Sequence, residues 1–228
     1  MAYKAVIFDF FGTLTVSVPA AHRVTAVGEL AAAIGAPADA FREAWWGSWS
    51  QRSVGEMGAF PEALRTVAQS LDVTPSHEQV GQAVQIRQAN ERRFMRLRED
   101  TLTTLEALQK RGLVVGLISD CTDDLPEEWP GCPAAPYIDS PVFSYVAGVK
   151  KPDPRIYALA CQSLGVQPED CLYVGDGGSD ELAGATKAGM TALKIQDQGE
   201  NHRFDSGVWT GAEIEQLGDL LDGGRLGG

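Results

Sequence analysis

Asp9, Ser119 and Asp176 each close a short apolar run of the chain, and Lys151 follows the stretch VFSYVAG. Thr13 follows Asp9 closely, and Asp180 follows Asp176. If those runs are parallel strands, their carboxyl ends open on one crevice, where open α/β sheets bind their ligands. Carboxylates, a hydroxyl and an ammonium would then face one another. Taken singly, each residue is accounted for by the polarity that strand ends carry anyway. Together and in this order they are not.

The elements that must position these groups are legible as patterns. Residues 4–10 (KAVIFDF), 113–119 (LVVGLIS), 171–175 (CLYVG) and 191–196 (TALKIQ) are continuous apolar runs, as expected of strands buried on both faces. Helical patterns separate them at 101–111, from Pro154 to Leu164, and from about Ser179 to Ala188. This alternation predicts a doubly wound parallel sheet of the α/β class. Residues 16–98 break it with helix signals alone. Val24, Val27, Leu30 and Ile34 mark one helix; Phe41, Trp45 and Trp49 recur every fourth residue in a second; Phe60, Leu64, Val67 and Leu71 mark a third. Ser76 and Gln79 have the spacing of a capping box for a fourth. The reading is an all-helical cap at 16–98 interrupting a core made of 1–15 and 99–222. Residues 126–141 hold five prolines and read as an irregular connector, and 223–228 (GGRLGG) as a disordered tail.

Composition narrows the function classes. The 228 residues are 44% hydrophobic and 22% charged, enough for a core domain plus a smaller insert. A net charge of −12 without a Lys/Arg-rich stretch argues against sequence-independent nucleic-acid binding. Such acidity suits a protein that gathers carboxylates around a divalent cation. No apolar run reaches the length of about 18 residues that a membrane span needs, and the N-terminal run is too short for a signal-peptide core. Cys121, Cys132, Cys161 and Cys171 form no CxxC pair and read as reduced thiols. The expected location is the cytoplasm.

Four segments in order resemble the haloacid dehalogenase-like superfamily over essentially the whole chain: Asp9-Phe10-Phe11-Gly12-Thr13-Leu14 after AVIF, Ser119 in LISDC, Lys151 in GVKKPDPRIY, and YVGDGGSDELAGATKAGM. The helical insert matches the cap that this family places after its first motif. The resemblance implies that Asp9 is a nucleophile forming a covalent aspartyl intermediate. Thr13 and Ser119 would hydrogen-bond the transferring group or Asp9, and Lys151 would offset charge. Mg²⁺ would be held by Asp9, the Phe11 carbonyl and Asp176, with Asp180 supporting the metal or Lys151. Three carboxylates against one ammonium leave a formal charge of −2, which a single Mg²⁺ neutralises. The expected partner is a small anionic organic substrate, with Phe11, Arg42, Trp46 and Asp120 lining its site.

One position departs from the phosphatase pattern. Members that hydrolyse phosphate esters carry a second aspartate two residues after the nucleophile, and here that residue is Phe11. The 2-haloacid dehalogenase branch also lacks this acid, since halide leaves without a proton. Arg42 lies where that branch has an arginine for the substrate carboxylate. The same branch uses no metal, whereas Asp176 after Gly175 is the phosphatase version of the fourth motif. Three readings follow: a Mg²⁺-dependent phosphatase, favoured on these electrostatics; a metal-free C–halogen hydrolase; and a ligand-binding protein with little activity. Trp45 and Trp49 are expected in the cap's own core with Phe41, leaving Trp46 as the substrate contact.

Overall fold

The computed structural model describes residues 3–196, 209–222 and 226. Strand β1 (Ala5–Phe8) leads into five helical pieces, α1 (Ala20–Ile34), α2 (Ala38–Gly47), α3 (Trp49–Arg52), α4 (Phe60–Gln69) and α5 (His77–Phe94). Helix α6 (Thr101–Lys110) and β2 (Val114–Ser119) return to the alternating pattern. Then come α7 (Asp124–Glu128), β3 (Ser140–Phe143), α8 (Ser144–Ala147), α9 (Pro154–Leu164), β4 (Cys171–Gly175), α10 (Glu181–Lys187), β5 (Thr191–Ile195) and β6 (Glu213–Ile214). The six strands form one parallel sheet in the order β3-β2-β1-β4-β5-β6. The chain thus winds one way from β1 and the other way from β4, and the switch between them lies beside Asp9.

All of β1 is buried because the sheet is covered on both sides. Side chains alternate between faces along a strand. Val6 and Phe8 therefore join Leu105, Leu108, Leu117 and Val174 in one core, while Ala5 and Ile7 join Ile156, Tyr157, Tyr173 and Leu182 in the other. A third core belongs to the helical insert, with Leu30, Ile34, Phe41, Trp45, Leu64 and Val67. The insert leaves and rejoins the sheet through an antiparallel bridge, Thr15 opposite Leu97, closed by Val16 N–H donating to Arg96 O and Arg98 N–H to Leu14 O. Both arms of the capping box at Ser76 and Gln79 are formed.

Three expectations are corrected. The Phe41–Trp45–Trp49 period does not run through one helix. The chain breaks at Ser48, whose hydroxyl donates to Trp45 O and accepts from Arg52 Nε, and a short new helix starts at Trp49. The proline-rich connector contains α7 and two single 3₁₀ turns, because Pro126, Pro130 and Pro136 all fall in first turns, where a missing N–H costs no hydrogen bond. Pro141 sits in β3, a strand the apolar runs did not signal; β3 is a sheet edge, the one place a strand tolerates proline. Of the expected disordered tail only Leu226 is described; it is buried against the first core, and its carbonyl accepts from Tyr3 N–H. His202, expected in a surface or capping role, lies outside the described residues. Among the described residues no single helix is long and apolar enough to cross a membrane.

Candidate active site

Asp9 follows β1, and its N–H is bonded to Val174 O of β4. The next turn is tight: Thr13, Leu14 and Thr15 all direct their N–H groups at Phe10 O. Gly12, at φ +85°, completes it, and a methyl group there would collide with Asp176 Oδ2. Only glycine lets the two acidic strand ends come together. Lys151 is delivered by a turn between α8, stopped by Gly148 at φ +67°, and α9, capped by the Asp153 carboxylate with Pro154 as first helical residue.

These pieces converge. Lys151 Nζ lies 2.5 Å from Asp9 Oδ1 and 2.6 Å from Glu181 Oε2, with the lysine side chain 3% exposed. Tyr173 OH donates to Glu181 Oε2 at 2.8 Å, and Gly177 N–H to Glu181 Oε1 at 3.0 Å. Asp120 Oδ1 accepts from Lys151 N–H at 3.0 Å, and Asp176 Oδ1 from Gly178 N–H at 2.9 Å. Carboxylate oxygens of Asp9, Asp176 and Glu181 all lie within 4.8 Å of one another.

Glu181 is the residue that sequence reasoning missed. Support for the metal or Lys151 was expected from Asp180, but Asp180 takes φ +55° and is exposed. That left-handed kink turns the next residue inward, so Glu181 begins α10 at 1% exposure. Nothing in the string SDEL distinguishes the two acids; the turn decides. Gly175 is the trace of it, since a Cβ there would collide with Glu181.

The cluster is short of positive charge. Burial pushes Asp9 up to about 7 although Lys151 pulls it down, and Glu181 adds to the rise. Burial, then the charges of Glu181 and Asp9, hold Asp176 well above the carboxylate range. Burial works against the Lys151 ammonium, yet Asp9 and Glu181 hold its pKa well above the ordinary value. Both oxygens of Glu181 are committed to Lys151, Tyr173 and Gly177. The free donors are therefore on Asp9 and Asp176, hard oxygens suited to a divalent cation such as Mg²⁺. Thr13 Oγ1, Ser119 Oγ and Asp120 Oδ2 are buried without a hydrogen-bond partner among the described residues. Orphaned groups of this kind cost about 1–3 kcal/mol each unless a ligand meets them.

A cavity of about 380 Å³ opens from this cluster between sheet and helical insert. Asp9, Phe11, Asp120, Lys151 and Asp176 line its floor, and Trp45, Trp46, Trp49 and Phe60 its roof. Of the expected contacts, Phe11, Trp46 and Asp120 are thus in the cavity wall. Thr13 and Ser119 are buried at strand ends and do not line it. Trp45 packs in the cap core with Phe41 as expected and also lines the cavity, whereas Trp49 is outside that core and faces the cavity. Arg42 is not in the wall: it pairs with Asp39, one helical turn away, and its guanidinium lies over Trp46. Other cations occupy that place. Arg52 is 7% exposed, stacked 3.8 Å from the Trp45 ring centre and bonded through Nη2 to Trp45 O. Burial and neighbouring Arg87 lower it to about 10. Trp129 packs in the sheet core against Phe10 and Phe143. Tyr157, buried below the cluster, donates to Glu181 O.

A parallel sheet whose strand ends hold a paired aspartate and lysine beside a carboxylate cluster, under a helical roof, defines a hydrolase of the haloacid dehalogenase type. The model of the haloacid dehalogenase-like hydrolases matches residues 3–189, and the chain belongs to that family. It is 27% identical over 208 residues to (S)-2-haloacid dehalogenase 4A of Burkholderia cepacia, covering 89% of this chain and 87% of that protein. It is 28% identical over 157 residues to phosphoserine phosphatase of Thermus thermophilus, covering 67% of this chain and 56% of that protein. Among solved structures, a phosphatase from Thermococcus onnurineus aligns with TM-score 0.66 and 24% identity over 99% of this chain and 98% of that one. A 2-haloacid dehalogenase from Pseudomonas syringae pv. Tomato aligns with TM-score 0.68 and 24% identity over 96% and 97%. These two show a shared fold. The relatives include both chemistries.

Proposed function

We propose that the protein is a Mg²⁺-dependent phosphomonoester hydrolase acting on a small organic phosphate. The observation that carries this reading is Asp176, a half-buried carboxylate beside Asp9 and Glu181, with Lys151 the one ammonium paired with the cluster among the described residues. In a metal-free dehalogenase an extra carboxylate would repel both the substrate carboxylate and the departing halide. In a phosphatase it is a cation ligand. Bound Mg²⁺, held by Asp9 and Asp176 and by the Phe11 carbonyl expected from the motif, would neutralise the cluster and admit a dianionic phosphate. Asp9 attacks phosphorus through its free carboxylate oxygen, while Lys151 holds the other and favours the ionised form against burial. Thr13 and Ser119, buried behind the cavity wall with hydroxyls that lack partners among the described residues, would donate to the transferring group or to Asp9 once substrate is bound. Asp120 fixes the Lys151 backbone. Residues 16–98 act as a lid whose tryptophans meet the organic part of the substrate.

A second reading has its own support. Phe11 removes the usual proton donor, and the Burkholderia cepacia dehalogenase aligns over most of both chains. General acid–base catalysis typically contributes about 10²- to 10⁴-fold, roughly 3–5 kcal/mol of barrier. Losing a helper is easier to accommodate than gaining a repulsive charge at the nucleophile. The deciding experiment measures phosphate release from 4-nitrophenyl phosphate with and without Mg²⁺, beside halide release from 2-chloropropionate. Metal-dependent phosphate release, abolished by Asp9→Asn, is the expected result. Halide release in the presence of a chelator, with no phosphate release, would replace this reading by the second.

A further inference from the structure

The missing acid at position 11 raises the question of which other group over the nucleophile could carry a proton. Among the described residues that line the cavity, the carboxyl groups are Asp9, Glu91, Asp120, Asp123, Asp124, Asp176 and Glu181. Asp9 and Asp176 are spoken for by the reading above, and Glu181 by Lys151 and Tyr173. Asp123 is held by Arg87 at 2.7 Å and by Phe60 N–H, also at 2.7 Å; Asp124 lies 3.2 Å from Arg87. Glu91 differs from these. It pairs with Arg87 one turn earlier on α5 and is 8% exposed, and of these carboxyl groups it alone comes to the cavity from the helical insert.

We propose that Glu91 is the proton donor to the leaving oxygen, the role that Phe11 cannot fill, and then the base that receives a proton from the attacking water. The proposal rests on the phosphatase reading. Its geometry starts from α5, where Arg87, Glu91 and Phe94, at spacings of four and three, form one stripe along the cavity wall. The stripe is anchored to the core, since Arg87 reaches down to Asp123 and Asp124 on the segment after β2 and lies over the Phe60 ring. When cap and core are together, this anchor fixes Glu91 in the roof of the cavity that has Asp9 in its floor. Burial, reinforced by the Asp124 charge, pushes Glu91 up to about 7 despite Arg87, so the acid is available near neutrality. The charged groups that act on it are Arg87 on its own helix and Asp124 and Asp123 from the core; Arg23 and Arg52 of the cap line the same cavity, and Glu29 of α1 accepts from the neighbouring Asn90.

The steps balance. An Asp9 oxygen forms a bond to phosphorus as the ester P–O bond breaks, and the electron pair stays on the leaving oxygen. That oxygen takes the Glu91 proton and departs as an alcohol, leaving a carboxylate stabilised by Arg87. Glu91 then accepts a proton from the water that attacks phosphorus, which frees inorganic phosphate, restores Asp9 and reprotonates the glutamic acid.

The test compares wild type and Glu91→Gln in Mg²⁺ on 4-nitrophenyl, phenyl and n-butyl phosphate, a series of increasingly basic leaving groups. Protonation matters most for the poorest leaving group. Glu91→Gln is therefore expected to lose about 100-fold on butyl phosphate and only a few-fold on the nitrophenyl ester. In wild type, kcat on butyl phosphate falls as pH rises above about 7, and the substitution flattens that limb. Adding Phe11→Asp to Glu91→Gln restores butyl phosphate turnover at least about tenfold. Equal losses on all three esters, or none, would overturn the proposal, as would the same leaving-group dependence appearing in Asp120→Asn but not in Glu91→Gln. If wild type cleaves none of the esters, the phosphatase reading itself has failed; if it cleaves them without this pattern, only the role of Glu91 has.

Discussion

At the scale of single residues, the cluster is arranged against its own charge. Asp9, Asp176 and Glu181 are gathered around one lysine, and two of the three are held above the ordinary carboxylate range by burial and by each other. Asp176→Asn is accordingly expected to do two opposite things. It removes the cation ligand and abolishes Mg²⁺-dependent turnover, and it relieves repulsion, so the metal-free protein at pH 8 unfolds at a higher temperature than wild type. Calorimetry beside an activity assay checks both, and a less stable variant would contradict the repulsion argument. Gly12→Ala attacks the same cluster through the backbone. The new methyl group displaces Asp176 and strains a φ of +85°, and the expected loss of Mg²⁺ affinity, at least about tenfold, is measured by titration calorimetry. Asp9→Asn keeps the shape of the side chain and is expected to lower turnover more than about 1000-fold with the fold intact by circular dichroism.

At the scale of elements, the helical insert is held by its own core and by a few bonds to the sheet domain. Trp45 stacks on Phe41 with ring centres 5.6 Å apart, meets Phe60 edge-on at 5.7 Å and carries the Arg52 guanidinium on its face. Trp45→Ala should therefore cost about 3–5 kcal/mol of cap stability in urea denaturation. The Asp123 carboxylate joins α4 and α5 to the core by accepting from Phe60 N–H and pairing with Arg87. Its loss would free the cap to swing on the two chain segments at Thr15 and Leu97 that connect it to the sheet.

At the scale of the whole molecule, stability and metal binding are linked through pH. Asp9 has a folded-state pKa of about 7 against an ordinary 3.8, so the folded protein binds the extra proton. Stability is then unaffected below about pH 4 and falls as pH rises from there through about 7. Asp176 acts in the same direction. The metal-free protein is expected to be less stable at pH 8 than at pH 5 by an amount on the order of a few kcal/mol, and so to melt lower. Mg²⁺ should restore more stability at pH 8, where it no longer competes with protons. A melting temperature that rises with pH in chelator would show that the cluster is not charge-deficient.

Much of this molecule follows from local sequence. AVIF, LVVGLIS and CLYVG are apolar on both faces and so must be interior strands, and an interior parallel strand delivers whatever residue ends it to one rim of the sheet. Asp9, Ser119 and Asp176 were legible for that reason, and Lys151 through a turn written in Gly148, Asp153 and Pro154. The capping box at Ser76 is equally local. What lies beyond such rules was decided only when the chain closed on itself. Whether Asp180 or Glu181 faces inward depends on a left-handed turn that brings α10 under β4. Among the described residues Arg23, Arg52 and Arg87 line the cavity and Arg42 does not, and the break at Ser48 is what turns Arg52 onto the Trp45 face. The charge deficit at Asp9 arises where the ends of β1 and β4 meet the start of α10, and Glu91 reaches the cavity wall only because the insert folds over the sheet. Strands and turns are specified by neighbours in sequence; a side chain's partner and its dielectric surroundings are set by neighbours in space.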